Sequence, residues 1–508
     1  MFTTKKFLIL CTVFIGSLMY SQVVDSTQIF KKTVNQYSEE RFLTQQYYYN
    51  PANKSDYSSL SFSELKISYH NEKKNIYRQQ LGSGENGFTI SADSYNKTKK
   101  NNFLWGNASY SNFNLKNIKW NEDLDYERVA PYILSDSVGG NKKLEVYQFG
   151  GGYGKQFNKF SYGLEANYTA KMASRNVDPR SKNTSSDLIL KAGLNYDVYK
   201  KLQIGVFGEL NLYTQTGSVR FVSTVSKPLI YQMVGFGYSN NFFSSEYASV
   251  VFDELGYQFG GHISNNKGKD FYIKASYKKS SNLKSIQPKN ANGFRDASDL
   301  ENEHQYVEGA KFFNFGKHRT GLLLSYSSNI STGYEFGYTN NTELIQQLYR
   351  RAAYKRENYN STAKLFYQFT NDDLVMTLVP FINYNETIER RIYPFTGQKY
   401  DALTFGIDGN FQKELTNNQV ISFKPQFSYR KVNNAINVLD TNLRASIVEW
   451  ITQDYRFLTS DVTTYGASLR YDLKLEKLPA FFVTGEWIGQ NIQEKNNNFV
   501  GASVGITF

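Results

Sequence analysis

Cysteine is nearly absent from this 508-residue chain, whose one cysteine, Cys11, lies in an apolar stretch near the N-terminus. That stretch covers residues 7–18, follows two lysines and is typical of a secretory signal peptide. We place its cleavage near Ser21, so that residues 1–21 are removed and the exported chain has no cysteine. This excludes disulfide bonds, thiol nucleophiles and cysteine-based zinc or iron–sulfur sites.

Long hydrophobic runs are also missing beyond the signal peptide. No stretch approaches the roughly 18 consecutive apolar residues of a membrane-spanning helix, and the mean hydropathy of the chain is -0.53. Aromatic residues are plentiful, with 40 tyrosines and 38 phenylalanines. This combination is typical of a membrane β-barrel, in which only every second residue of a strand must be apolar and aromatic side chains line both membrane interfaces.

Charge of one sign is not concentrated anywhere in the sequence. The formal net charge of +12 falls to +10 when the two lysines of the signal peptide leave, and the remaining lysines and arginines are scattered among the loops. A nucleic-acid interface would need a basic cluster, so we expect no nucleic-acid partner. Carboxylates and histidines are likewise too dispersed for a metal cage, and we expect no metal and no cofactor.

The clearest pattern in the chain is a strict alternation of apolar and polar residues over residues 160–198. Leu190 and Leu194 fall on the apolar face there, whereas Asn195 falls on the polar face. Strands of twelve residues at about 3.3 Å per residue cross a tilted bilayer, whereas typical globular strands are about half as long. Comparable alternation recurs at residues 60–69, 87–95, 103–110, 144–154, 202–213, 252–263, 271–277, 304–315, 322–326, 359–369, 374–385, 402–412, 421–429, 465–475, 480–490 and 498–508.

These segments predict an all-β fold: a transmembrane antiparallel up-and-down β-barrel of about 18 strands (roughly 16–18), with short periplasmic turns and long extracellular loops. The connections support the prediction, because every second one is short, as at residues 199–201, 316–319 and 476–479. We therefore expect the protein in the cell outer membrane, in contact with outer-membrane lipid. Residues 60–508 form the predicted barrel, and residues 22–59 a periplasmic or lumen-inserted N-terminal segment.

Both ends of the predicted barrel carry recognisable residues. The last strand ends in Phe508, which resembles the C-terminal assembly signal of bacterial outer-membrane barrels and implies the barrel assembly machinery as a partner. Before the first strand, Asn50-Pro51-Ala52 is similar to the Asn-Pro-Ala sequence at the corresponding place in several Bacteroidota-type barrel families. A plain Asn-Pro turn is the alternative interpretation of these three residues.

Three of the predicted outer loops contain more than solvated polar residues. Apolar spacing predicts one helix from Asn341 or Thr342 to about Arg356, and a second over residues 442–458. The third loop, residues 219–252, is rich in phenylalanine, valine and isoleucine. It could fold into the barrel mouth, extend the flanking strands or dock a partner, and we favour extended strands.

Outer-membrane hydrolases place a catalytic histidine at the outer rim of the barrel, and this chain has four histidines. The predicted topology puts His262 and His318 on the periplasmic side, which leaves His70 and His304 as outer candidates. Neither lies in a cluster that would supply a nucleophile and an oxyanion site. We therefore expect no catalytic residues and no enzymatic activity.

The outer loop of the best-patterned hairpin, residues 175–183, contains Arg175, Asp178, Pro179 and Arg180. Asp-Pro starts a turn, and the two arginines could bracket Asp178 in an ion-paired knot over the lumen or could face a ligand. This Asp-Pro-Arg loop, together with the C-terminal Phe strand, resembles an uncharacterised Bacteroidota-type outer-membrane barrel family. A purely structural turn is the alternative.

That resemblance implies a TonB-dependent receptor or a surface lipoprotein as a possible partner, but no activity. Charges predicted to face the lumen are of mixed sign, as in a water-filled pore or an interior built around a plug. We therefore interpret the chain as a pore or transporter, or as the accessory barrel of an uptake or secretion complex. An outer-membrane scaffold that docks partner proteins through its outer loops is the alternative, and a barrel hydrolase ranks third.

Overall fold

The computed structural model of the chain describes residues 28–98, 101–223, 227–240, 242–243, 247–288, 293–339, 346–475 and 478–508. The predicted signal peptide with its Cys11, and the first residues of the helix predicted from Asn341, lie outside these ranges. None of the helices in the described ranges has the length and apolar character of a membrane-spanning helix.

Alternating apolar and polar residues form long strands, because β-branched and aromatic side chains suit a pleated surface. The strands within the described ranges are β1 (Phe62–Lys73), β2 (Gly84–Lys97), β3 (Asn102–Ile118), β4 (Leu134–Asp136), β5 (Gly140–Phe157), β6 (Phe160–Ser174), β7 (Arg180–Tyr199), β8 (Leu202–Arg220), β9 (Ile230–Gly235), β10 (Tyr238–Ser239), β11 (Tyr247–Asn265), β12 (Phe271–Pro288), β13 (Arg295–Phe315), β14 (His318–Tyr338), β15 (Gln347–Thr370), β16 (Leu374–Arg391), β17 (Thr396–Thr416), β18 (Gln419–Val438), β19 (Val462–Lys474), β20 (Ala480–Ile492) and β21 (Lys495–Thr507).

Eighteen of these strands form one closed antiparallel barrel, in which each strand pairs with its neighbours along the chain. Closure is made by β1 and β21, where Ile67 lies opposite Val504. The remaining three, β4, β9 and β10, form a separate small sheet. The predicted fold class and strand number are therefore confirmed.

The two faces of the barrel wall also follow the alternation. On β7, Leu194 is 59% exposed on the outer face, whereas Asn195 beside it is 3% exposed on the lumen face. The outer face carries a belt of exposed aliphatic and aromatic side chains on every side of the barrel, and the lumen face is mostly polar. The outer surface is therefore apolar without any long hydrophobic run in the sequence.

The connections differ between the two ends of the barrel. At the end that we call the short-turn end, β5 joins β6 and β7 joins β8 through two residues each, and Asn158 and Lys200 adopt positive φ there, as tight hairpin turns require. At the other end, the long-loop end, three connections exceed twenty residues. The alternation of short and long connections that the sequence shows is thus present in the structure.

The helix predictions for the outer loops had different outcomes. Helix α4 (Ala445–Leu458) confirms the helix predicted for residues 442–458; three shorter helices, α1 (Ile29–Gln36), α2 (Glu39–Leu43) and α3 (Tyr126–Val129), precede it. The helix predicted to end at Arg356 is wrong over its described part, because residues 347–356 belong to β15. Pairing with β14 and β16 outweighs the helical spacing of the apolar residues there.

Residues 28–61, which we call the plug, lie inside the lumen at the short-turn end. Ile29 and Phe30 of α1 pack against Val375, Val420 and Ala480, which lie at the starts of three strands. Tyr47, further along, is buried against a second apolar group on the lumen face: Tyr272, Ala310, Phe312, Leu323, Phe366 and Val379. Within the described residues, the plug is a single segment that continues into the barrel at β1.

Three long connections at the other end form what we call the cap: residues 119–139, the described parts of 221–246, and 439–461. β4 from the first connection pairs with β9 from the second, with Leu134 opposite Gln232. Helix α4 from the third packs on this sheet through Ile447 and Trp450. The loop over residues 219–252 therefore extends its flanking strands to Arg220 and from Tyr247, as favoured, and also folds into the mouth between them.

Candidate functional site

The plug is fitted to the wall at Asn50-Pro51-Ala52. A Cβ atom on Gly163 of β6 would overlap the backbone of Pro51, and one on Gly193 of β7 would overlap the side chain of Asn50. The Asn50 amide also donates to Asn195 on β7 at 2.9 Å, and its side-chain oxygen accepts from the backbone N–H of Ala52 at 3.0 Å. These three residues make a turn, and that turn docks on two glycines of the barrel wall.

Polar contacts hold the rest of the plug. Glu40 of α2 pairs with Arg319 of β14 at 2.6 Å, and Glu39 pairs with Lys424 of β18 at 3.3 Å. Tyr37 donates to Glu64 of β1, a carboxylate that Arg470 of β19 also approaches at 3.3 Å.

Tyr49, near the middle of the plug, contacts both a carboxylate and two ammonium groups of the barrel wall. Tyr49 donates to Glu209 of β8, and its ring lies under two lysine ammonium groups, Lys191 at 4.0 Å and Lys274 at 4.4 Å from the ring centroid. Glu209 and Lys274 are buried, at 6% and 2% exposed, so these contacts offset the cost of keeping two charged groups from water. Water can solvate the same groups once the plug leaves the lumen. The plug is thus held by many contacts that water can replace.

The cap has an apolar core of its own. The indole rings of Trp120 and Trp450 stack with centroids 4.9 Å apart and planes within 7°. They come from connections that are more than 300 residues apart in sequence, and each is at most 5% exposed. Around them lie Tyr126, Val129, Ile133, Leu134, Ile230, Met233, Phe243, Ile447 and Ile451, together with Tyr213, Val250, Phe252, Ile286 and Ala297 of the wall.

A fully buried ion cluster ties this core to the hairpin loop after β6. Arg175 donates to Glu122 at 2.6 Å and to Asp136 at 2.8 Å, and none of these three side chains is exposed. Lys142 of β5 lies 3.5 Å from the same Glu122. Burial raises the pKa of Glu122 to about 8, because water is excluded around its carboxylate, although Lys142 and Arg175 oppose the shift.

The loop residues singled out in the sequence fall into two groups: Arg175 belongs to this buried cluster, whereas Asp178 and Arg180 lie outside it. Arg180 does pair with Asp178, at 3.0 Å, but Arg175 turns away from Asp178 to the buried carboxylates. Asp178 accepts instead from the backbone N–H groups of Val222 and Ser223, at 2.8 and 2.7 Å. These bonds hold the pKa of Asp178 below its usual value. Pro179 contributes its carbonyl, which accepts from Arg175 at 2.6 Å.

The predicted bracket of Asp178 by two arginines is therefore wrong in its Arg175 half. The nearest carboxylate in sequence was the obvious partner, yet the actual partners, Glu122 and Asp136, are 53 and 39 residues away. What could have pointed to them is the concentration of acidic residues over residues 122–127, in a connection too long for a simple hairpin.

The tip of the cap reaches into the lumen through Arg128, in the short helix α3. Its guanidinium donates to Glu254 of β11, to Asp187 of β7 and to Asn211 of β8, each at 2.8 Å. The Cζ atom of Arg128 lies 3.8 Å from the ring centroid of Tyr213. Because these partners lie on three strands, Arg128 fixes the tip against the wall.

Two cavities lie beside this tip, and together we call them the chamber. The larger, of about 570 Å³, lies between cap residues 121–128 and the lumen faces of β3, β5, β6 and β7. The smaller, of about 230 Å³, lies on the β11–β15 side and is lined by Glu254, Lys278, His304 and Arg356 among others. The smaller cavity is lined mostly by polar side chains, and the larger by carboxylates, lysines and amides together with apolar residues such as Leu115, Ile118 and Leu144. Such a mixture of apolar walls and a few polar groups is typical of a site that binds a small molecule.

The four histidines lie in different surroundings. His70 contacts Glu85 at 3.0 Å near the long-loop end and lies between two phenylalanine rings, whereas His304 faces the smaller cavity. His262 packs against the plug residue Tyr47, and His318 starts β14 at the short-turn end. Within the ranges that the structure describes, no three His, Cys, Asp or Glu side chains are placed to hold a metal ion.

Phe508 ends the chain at the seam of the barrel. Its backbone N–H donates to the carbonyl of Ser63 on β1 at 2.9 Å, one residue beyond the end of β21. The terminal aromatic therefore lies at the short-turn end, beside the point where the plug joins the first strand.

Comparisons with known proteins give a fold likeness and a family. The ferric preacinetobactin receptor BauA of Acinetobacter baumannii has a TM-score of 0.41 and 8% identity, over 89% of this chain and 80% of that one. For the outer membrane transporter YddB of Escherichia coli the values are 0.40, 8%, 88% and 81%, and for the copper transporter OprC 0.39, 9%, 88% and 80%. No curated protein matches the sequence. Residues 18–508 match the sequence model of a family of unknown function, DUF6850, and the chain therefore belongs to that family.

Proposed function

We propose that this chain is an integral outer-membrane barrel that acts as a gated transporter of polar solutes, with the plug as its gate and the chamber in the solute path. The observation that carries the proposal is a chamber lined by charged and amide side chains as well as apolar ones beneath the cap, in a lumen whose other end is filled by the plug. A permanently open pore would need neither element, and a structural barrel would have no use for a polar chamber.

The placement in the outer membrane is supported by the belt of exposed apolar side chains around the barrel. Ion pairs on the outer face bound this belt toward the long-loop end, with Lys355–Glu357 at 2.7 Å and Lys399–Glu386 at 2.8 Å. With the short-turn end in the periplasm, the plug faces the compartment from which it could be withdrawn. We include Phe508 in this proposal as the signal that the barrel assembly machinery reads.

A second candidate is a scaffold that docks a partner, such as a TonB-dependent receptor or a surface lipoprotein. The observation that favours it lies above the ion pairs, at the long-loop end, where Tyr393 is 71% and Phe395 65% exposed in the connection between β16 and β17. Exposed aromatic residues outside the lipid belt are typical of contact surfaces. Arg180 and Asp178 lie at the same end of the barrel and would belong to this surface.

The gate can be tested with a disulfide, because the exported chain is expected to have no cysteine of its own. In the double variant Asn50→Cys with Gly193→Cys, the new Cβ atom on residue 193 lies where the Asn50 side chain was. The two sulfur atoms are then within bonding reach, since a disulfide needs Cβ atoms about 3.5–4.5 Å apart. The bond would fasten the plug to β7.

The measurement is the conductance of the purified protein in planar bilayers as urea is raised. We expect channels to open in the wild type and in Asn50→Cys alone, below the urea concentration that unfolds the barrel on heat-modifiable gels. The oxidised double variant should stay closed, and reduction should restore its channels. Equal conductance of the oxidised and reduced double variant would contradict the plug as the gate.

A further inference from the structure

One lumen arginine donates no hydrogen bond in the described part of the chain. Arg356 lies on the lumen face of β15 and borders the smaller cavity. Its side chain makes no hydrogen bond or ion pair with any described residue, and its Nε is buried without an acceptor. Other lumen arginines are paired: Arg391 with Glu335 at 2.7 Å, and Arg470 with Asp472 at 2.7 Å.

The nearby carboxylates are already occupied. Glu389 on the neighbouring strand accepts from Tyr354 at 2.6 Å through one oxygen and from Gln398 at 2.7 Å through the other. Glu127 at the tip of the cap is paired with Arg78 at 2.8 Å. Arg356 is therefore left with unused donors at the edge of an open space, an arrangement that costs free energy unless something else accepts from them.

The other cations beside the cavity are neutralised. Lys278 pairs with Glu209 at 3.2 Å, and Arg128 pairs with Glu254 and Asp187 at 2.8 Å. Arg356 is therefore the cation beside this cavity whose guanidinium donates to no described residue, while Glu389, opposite it on β16, lies close enough to attract its charge. A guanidinium presents a planar fork of donors that matches a carboxylate or phosphate group.

Uncharged hydrogen-bonding side chains continue from Arg356 along the wall. His304 and Asn329 border the same cavity and make no side-chain hydrogen bond to a described residue. In the next rows toward the short-turn end, Asn358 donates to Thr387 at 2.8 Å, and Asn383 donates to Asn360 at 2.7 Å. The full patch on β14 to β17, which we call the amide wall, consists of Ser325, Ser327, Asn329, Asn358, Asn360, Thr362, Asn383, Asn385, Thr387 and Thr404.

We propose that Arg356 and the amide wall form a solute-binding site for a hydroxyl-rich anion, with the guanidinium holding a carboxylate and the amides and hydroxyls holding sugar hydroxyl groups. Amides and hydroxyls both donate and accept, as sugar hydroxyls do. A uronic acid has both features, and the cavity of about 230 Å³ beside Arg356 meets the amide wall at Asn329. The site deepens the proposed function, on which the role of its ligand as a transported solute rests.

The test is calorimetric binding of D-glucuronate, D-glucose and inorganic phosphate to the folded, detergent-solubilised protein. We expect glucuronate to bind more tightly than glucose, which lacks the carboxylate, and more tightly than phosphate, which lacks the hydroxyl groups. Arg356→Gln should weaken glucuronate binding by at least about tenfold, since a hydrogen bond to a charged group contributes that much to an affinity. Glucose binding should not change.

Arg350→Gln is the matched control, because Arg350 lies on the same strand but pairs on the outer face with Asp299 and Glu301. It should bind glucuronate as the wild type does. Unchanged glucuronate binding by Arg356→Gln, in protein whose folding is verified by heat-modifiable migration, would overturn the site. Phosphate binding as tight as glucuronate binding would overturn the ligand class. Neither result depends on whether the plug moves, so the gate and the site fail separately.

Discussion

The plug and the cap occupy opposite ends of the lumen and are held in different ways. The plug is one continuous segment, tied to the barrel at one end and held by ion pairs, amide contacts and a few apolar side chains such as Ile29 and Tyr47. The cap is built from three connections, each tied at both ends, around a core with stacked tryptophans and the buried Arg175 cluster.

In the proposed function, this difference makes the plug the element that moves. Withdrawing the plug exposes polar groups that water can satisfy and leaves the barrel wall intact. Withdrawing the cap would expose its apolar core, at about 25 cal/mol per Å² of apolar surface, and would strand buried charges. Releasing the plug should therefore cost less free energy than releasing the cap.

The largest effect on this contrast should come from Arg175→Met. The substitution leaves Glu122 and Asp136 buried without their shared cation, which should destabilise the cap by about 3–5 kcal/mol. The exciton signal of the stacked Trp120 and Trp450 in circular dichroism should be lost at a lower temperature than in the wild type. The barrel itself should still migrate as a folded species.

Arg180→Met is the control for that experiment, because Arg180 has the same charge and lies in the same loop but is exposed and pairs with Asp178 at the surface. Surface pairs of this kind contribute little to stability. Equal loss of the tryptophan signal in both variants would show that the buried cluster does not hold the cap.

A smaller effect should come from pH, and it should be specific to the cap. Burial raises the pKa of Asp123 and of Asp454 to about 6, from an ordinary 3.8, although Lys284 and Arg78 respectively oppose the shift. A carboxyl group whose pKa is higher in the folded state binds its proton more tightly there. The cap should therefore gain stability as the pH falls from about 6 to about 4.

The thermal midpoint of the tryptophan signal, recorded across that range, measures this effect. In the double variant Asp123→Asn with Asp454→Asn, the midpoint should rise less between pH 6 and pH 4 than in the wild type, and the rise that remains is that of Glu122, whose pKa burial also raises. A wild-type midpoint that falls with decreasing pH in this window would contradict the assignment of these two carboxyl groups.

Sequence reasoning reached the barrel because its pattern is local. Alternation places Leu194 outside and Asn195 inside whatever lies elsewhere in the chain, and turn lengths give the parity. The cap was not predicted, because the contact between Trp120 and Trp450 joins connections that no spacing relates. Helical spacing succeeded for α4, a segment that pairs with no strand, and failed for residues 347–356, where neighbouring strands were available.

The candidate site was reached only in part for the same reason. Asn50-Pro51-Ala52 and the residues 175–180 were visible as unusual sequences, but their partners were not: the glycines under the plug and Glu122 beneath Arg175 lie on other elements. Arg356 carried no signal at all, since its significance is that its guanidinium donates to no described residue among those that only the closed barrel brings together.

The contrast between plug and cap is tested most directly by hydrogen–deuterium exchange of the folded wild-type protein, resolved by peptide. Amide exchange reports the free energy of local opening. We expect the amides of α1 and α2 in the plug to exchange well before the cap amides that join its connections, such as Met233 N–H to Ile133 O. The oxidised Asn50→Cys, Gly193→Cys variant should slow exchange in the plug alone. Exchange of the cap before the plug, or of both together, would contradict the account.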